Sequence, residues 1–226
     1  MKRLPPFLFV VLLVLALAAG CGSKPVPDWK TGGFNAMESY KKNFLEGDER
    51  KADLYFELAV REIQKSGDPD LLDRAFLTRC ALRTAALEPL SPGDCLLSGW
   101  KHTKENENYL AFLREGAGGT DPSLLPPAYR KFADALEAGK IGPLNDAVAG
   151  IDDPLSRIVA SAVAVQAGRF DDRTLELALE AASREGWKKI VLLYLGRLEA
   201  LSREQGKTEQ ADRLRRRQEI LTAPLK

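Results

Sequence analysis

Few side chains in this chain of 226 residues could do chemistry, and their spacing narrows what that chemistry could be. The one histidine is His102, set in Trp100-Lys101-His102-Thr103-Lys104. A Ser-His-Asp triad needs a histidine beside a nucleophile, and a zinc site needs several His or Cys ligands at fixed spacing. Neither pattern is present, and His102 reads as an exposed turn residue. Carboxylates are paired at Asp152-Asp153 and Asp171-Asp172. Two carboxylates about 5–9 Å apart across a sugar cleft can act as acid and base. Both pairs instead fall where helices should start, and there a carboxylate caps free backbone N–H groups. No Gly-rich phosphate loop and no His-Glu metal motif occurs. The sequence therefore names no catalytic, cofactor-binding or metal-ligating residue. Arg213, Arg215, Arg216 and Arg217 form the one dense basic run. It could grip an acidic protein or a lipid headgroup. Glu209–Arg213 and Asp212–Arg216 stand four apart in the favourable order, however, which suits a solvated helix end.

The composition excludes several classes. With 45% hydrophobic residues and 18 glycines, the chain is neither disordered nor collagen-like. Lys plus Arg is 33 against 32 for Asp plus Glu, so no basic excess points to nucleic acid. One long apolar run, from Phe7 to Ala19, follows the basic start Met1-Lys2-Arg3. As a helix it would reach about 20 Å, short of the roughly 30 Å hydrocarbon core, so it reads as the apolar region of a signal peptide.

The run ends in Leu17-Ala18-Ala19-Gly20-Cys21. This junction resembles the lipobox of bacterial lipoproteins, in which small residues precede a cysteine that is lipidated and becomes the new N-terminus. The family favours Leu three residues before the cysteine; here Ala18 stands there. The resemblance implies a signal peptide over 1–20, lipidation at Cys21 and attachment to the membrane through that lipid. Gly22 follows the cysteine where Asp would signal retention, which in enteric bacteria implies the outer membrane, facing the periplasm. Several acyl chains anchor stably where one does not. The Gly- and Pro-rich stretch that follows reads as a flexible tether, bounded at 21–36.

With Cys21 taken by lipid, Cys80 and Cys95 remain. In an oxidising compartment an even remainder suggests a disulfide. The other reading makes Cys80 a small core residue and Cys95 a loop thiol.

Beyond the tether the periodicity predicts an all-α domain over 37–226. Ala52, Tyr55, Phe56, Ala59, Val60 and Ile63 make an amphipathic stripe, and Trp187, Ile190, Val191, Tyr194, Leu198 and Leu201 make another. Leu155, Ile158, Val159, Ala162 and Val163 predict a nearly apolar, central helix. Asp68-Pro69, Asp121-Pro122 and Asp153-Pro154 predict helix starts, as do Asp171 and Thr208. Pro and Gly clusters over 88–127 suggest a break there.

From Gly47, the spacing of Ala52, Phe56 and Ala59 resembles the second helix of the tetratricopeptide repeat. Pro154 to Trp187 lies near that repeat's period. The expected architecture is antiparallel helix pairs stacked as a tetratricopeptide-like solenoid, or else an irregular helical bundle. The resemblance implies a protein-protein interaction scaffold that supports an envelope, secretion or pilus complex. Arg157, Lys188 and Arg197, off the apolar stripes, are its expected partner surface. A lipid or small-ligand carrier with an apolar cavity is the alternative. A peptidoglycan-active accessory enzyme ranks third, for want of a visible site.

Overall fold

The computed structural model describes residues 26–91 and 93–224. The signal-peptide and lipidation readings, Cys21 included, fall outside them. The described residues form ten α-helices and one short 3-10 turn. They are α1 (Asp28–Glu46), α2 (Glu49–Gln64), α3 (Pro69–Ala85), α4 (Lys104–Glu115), α5 (Pro127–Ala138), α6 (Ile141–Ala149), α7 (Pro154–Gln166), α8 (Asp172–Glu185), α9 (Lys188–Glu204) and α10 (Thr208–Thr222). The 3-10 turn, Pro122–Leu124, lies between α4 and α5.

The helix starts follow local capping chemistry. Asp68 and Asp153 accept from the backbone N–H groups of Asp70 and Ser156 and precede a proline in the first turn. Asp171 forms a reciprocal capping box with Thr174. One expected start and one expected cap need correction. Asp121 caps only the 3-10 turn, and α5 begins later, at Pro127. Thr208 is the first residue of α10 and makes no side-chain cap.

The tether also ends earlier than expected, because α1 begins at Asp28 rather than near residue 37. Gly32 and Gly33 lie within it, although glycine disfavours helix. Tertiary packing outweighs that preference. A Cβ on Gly33 would stand 3.1 Å from Ile63 Cγ1, so the missing side chain lets the end of α2 close against α1. Further along the hairpin Tyr40 meets Phe56, ring centroids 5.1 Å apart. Gly47 ends α1 in a left-handed conformation (φ 96°), and its N–H bonds back to Asn43 and Phe44.

At the centre lies α7, whose residues from Ile158 to Val165 are all buried. A helix apolar all round must be enclosed. It packs against α3, α4, α5, α6 and α8. From α7 to α10 consecutive helices pack on one another, a local stack of two pairs. The rest does not continue that stack. α1 packs on α9 and α3 on α7, across most of the sequence, so the whole is an irregular bundle. A linear repeat array would keep contacts between neighbours. One hydrophobic cluster runs through all of it, including Phe112 and Leu113 of α4. The expected break over 88–127 is therefore no domain boundary.

Two polar ties hold this closure. Lys189 of α9 reaches Glu49 of α2 at 2.6 Å and Glu88 at 2.8 Å, with its ammonium 3.7 Å from the centre of the Phe44 ring. Glu88 is aimed there because Leu87 takes a left-handed φ of 53°, its N–H bonding to Thr84 and ending α3. The second tie is the segment after α3. Cys80 and Cys95 are bonded, S–S 2.01 Å, and both are fully buried. Beside them Arg79 donates to Asp94 O at 2.8 Å and Arg83 to Asp94 Oδ2 at 3.2 Å.

Candidate functional site

Where α1, α3, α4, α5, α7 and the 3-10 turn meet, they leave a cleft of about 470 Å3. This is the volume range of small-molecule and side-chain pockets. Its floor is apolar: Leu77 and Ala81 from α3, Leu125 after the 3-10 turn, and Leu155 and Val159 from α7. Leu77, Ala81, Leu125 and Val159 are buried, so the floor of the cleft is also part of the core.

Two tyrosines line one wall. Tyr109 of α4 and Tyr129 of α5 lie with ring centroids 5.8 Å apart and planes 24° from parallel. Phe112 backs both, at 6.2 and 5.1 Å, and Phe132 meets Phe112 edge-on at 6.0 Å. Burial pushes the Tyr109 phenol well above its ordinary range and raises that of Tyr129, where bonding from Ser156 and Tyr109 works the other way. The two rings stand on an aromatic base formed by Phe112 and Phe132.

The rim is polar, and its two cations are paired. Lys41 pairs with Glu38, and Arg74 with Asp70 at 2.8 Å. Asp70 also accepts from Asn106 Nδ2 at 2.8 Å, which fixes the start of α4 against α3. Glu105 is the carboxylate on the lining, so no two carboxylates face each other across the space. Such a cleft can bind an apolar body and satisfy a few polar groups on it. It offers no paired acid and base.

The carboxylate pairs read from the sequence serve helix ends. Asp153 and Asp171 are caps, and Asp172 pairs with Lys207 at 2.7 Å. Burial works against ionisation of Asp171, but hydrogen bonds from Asn145 and Thr174 outweigh it and hold the carboxyl below its ordinary range. Those same bonds tie α6 to α8, with Thr174 Oγ1 donating to Asn145 at 2.7 Å. Among the described residues no group of three or more His, Cys, Asp or Glu is placed to hold a metal ion. No helix among them is long and apolar enough to cross a membrane.

The three residues expected on the partner surface differ in their engagement. Arg157 is occupied: its guanidinium donates to Ile151 O at 2.7 and 3.0 Å and to Ala149 O at 3.2 Å. It satisfies carbonyls at and just after the end of α6, so it acts as a structural tie. Lys188 and Arg197 are exposed on α9. They stand nine positions apart, about 14 Å along the helix axis. His102 also needs correction. It is half-buried, with Nδ1 2.7 Å from Oδ2 of the buried Asp73, whose other oxygen accepts from Leu97 N at 2.8 Å.

Tyr109 and Tyr129 lie on helices whose apolar residues build the core, and no sequence motif marks them as cleft residues. The available signal was their type, since a tyrosine on an apolar stripe carries a hydroxyl that needs an outlet. Comparison with protein-family models, curated proteins and solved structures finds no match, so the functional reading rests on this geometry.

Proposed function

We propose that the chain is a lipid-anchored protein of the bacterial envelope, held at the outer membrane through Cys21 and facing the periplasm. There it acts as a protein-protein interaction scaffold. The observation that carries the docking role is the tyrosine cleft, an apolar floor with the Tyr109–Tyr129 wall and a polar rim on which Lys41 and Arg74 are paired. An apolar side chain of a partner segment can enter it while the phenols and Asn106 meet the segment's backbone. The same apolar lining favours a second reading, a carrier that holds a lipid or another small apolar ligand.

One experiment separates the two. A photo-crosslinking amino acid replaces Glu105 on the rim of the full-length, membrane-resident protein, and adducts formed in intact cells are identified by mass spectrometry. A protein adduct supports the scaffold. A lipid adduct supports the carrier. Absence of both, with a folded and anchored protein, removes the docking role from this cleft. Labelled fatty acid incorporation, compared between the parent and Cys21→Ser, tests the anchor separately; equal labelling would overturn it.

A further inference from the structure

A second concavity lies at the other end of the local stack. The end of α8, the first turn of α9 and the last turns of α10 enclose a recess of about 390 Å3. Val191 and Leu221 line it, and Ile220 stands at its edge with 76% of its surface exposed. Ile220 is thus a large aliphatic side chain left outside a helix whose other outward residues are mostly charged.

Two cations from different helices stand on the rim, Lys188 of α9 and Arg217 of α10. Among the described residues neither is engaged in an ion pair, whereas Arg213 and Arg215 of the same basic run are matched by Glu209 and Glu219. Lys188 also borders a neighbouring hollow of about 570 Å3 whose lining mixes Leu192 and Leu193 with Glu46 and Glu49. Its neighbour Lys189 is already held there by Glu49 and Glu88. The start of α9 therefore carries one spent lysine and one outside any ion pair among the described residues, the latter beside the recess of Val191 and Leu221. Solvation alone accounts for free cations at a helix end, but here both cations border one recess that Val191, Ile220 and Leu221 also line.

We propose that this recess docks a segment of another protein in which an acidic residue adjoins an aliphatic or aromatic one. The apolar side chain enters beside Val191 and Leu221, and the carboxylate lies between Lys188 and Arg217. The two free positive charges select an acidic segment over a neutral one of equal shape. This inference stands independently of what the tyrosine cleft binds.

The test places the photo-crosslinking residue at Ile220 of the full-length protein in intact cells, with Glu209 at the far end of α10 as the control position. The expected result is an adduct from position 220 that maps to a partner peptide bearing Asp or Glu beside an apolar residue. Its yield should fall at least about tenfold in Lys188→Glu/Arg217→Glu, with helicity unchanged by circular dichroism, and recover when the mapped acid is changed to Lys. Any of four outcomes would overturn the proposal: no adduct, an adduct to residues 225–226 of the same chain, one to a second copy or to lipid, or a yield indifferent to both charge reversals.

Discussion

Removing the Cys80–Cys95 bridge should cost this protein stability in an amount that the sequence separation sets. The bond closes a loop of 15 residues. On the chain-entropy account, deleting a crosslink of that size frees the unfolded chain by about 3 kcal/mol at 25 °C. The native segment has other attachments, namely Arg79 and Arg83 on Asp94 and Asp73 on the Leu97 N–H. These should keep the fold in place, so the loss is felt mainly through the unfolded state. For a domain of this size each kcal/mol moves the melting temperature by roughly 2–4 °C, so Cys80→Ala/Cys95→Ala should melt roughly 6–12 °C lower. Both sulfurs are fully buried, and the space that alanine leaves adds to the effect. The decisive feature is non-additivity. Either single variant already breaks the crosslink, so each should lose nearly as much as the double. Thermal and urea unfolding of the three variants, with thiol counts on the denatured parent, measures this. A double variant within about 1 kcal/mol of the parent, or single effects that simply sum, would refute the reasoning.

Other perturbations read different contacts. Ala59, wholly buried, should resist enlargement, so Ala59→Leu overpacks its contact by about 1–3 kcal/mol, whereas the exposed Lys51→Ala leaves the urea midpoint nearly unchanged. Arg157→Ala deletes three hydrogen bonds to carbonyls at the end of α6 and should lower the melting temperature, while Lys188→Ala should stay within about 0.5 kcal/mol of the parent. His102→Ala strips one of two partners from the buried Asp73 and should cost about 1–3 kcal/mol; a double-mutant cycle with Asp73→Asn that returned no coupling would dismiss the pair. Asp171 titrates below its ordinary range when folded. The stabilisation it gives is therefore complete at neutral pH and is lost as pH falls through the folded value. Asp171→Asn should lower stability at pH 7 and flatten that acid limb in pH-dependent unfolding.

How legible each feature was depended on how local its cause is. The stripe of α7 has to be buried whatever surrounds it, and Asp68-Pro69 and Asp153-Pro154 cap their helices by contacts within three residues. Asp121-Pro122 carries the same local signal, but the chain uses it for a 3-10 turn that sends Leu125 into the core. The start of α1 was hidden because Gly32-Gly33 weakens a helix by itself, and only contact with Glu62 and Ile63, thirty residues away, explains it. α6 was missed for a related reason. Its first residues are Ile141-Gly142-Pro143, and its place depends on Leu144 and Val148 being buried and on Asn145 bonding to α8. Lys188 and Lys189 are indistinguishable in sequence, yet one is exposed and the other spans three helices.

The closure that Lys189 helps to make also relocates the binding surfaces expected of a helical scaffold. In an open array of pairs the groove runs along the first helix of each pair, which is why Arg157 and Arg197 drew attention. Here α1 returns to α9, and α4, α5 and the turn between them depart from regular pairing to cover one side of α7. Concavities then arise at junctions, where helices distant in sequence meet without filling the space. The tyrosine cleft needs side chains from Lys41 to Val159, and the recess by Ile220 needs three successive helix ends. A surface built this way is sensitive to how the helices are joined. Lys189→Met retains the contact with Phe44 and removes only the links to Glu49 and Glu88, so it should loosen the seat of α1 on α9 while leaving the α7–α10 stack intact. Amide exchange should then rise in α1 and α2 and hold steady in α7 and α8. Equal protection throughout would mean that apolar packing alone closes the bundle.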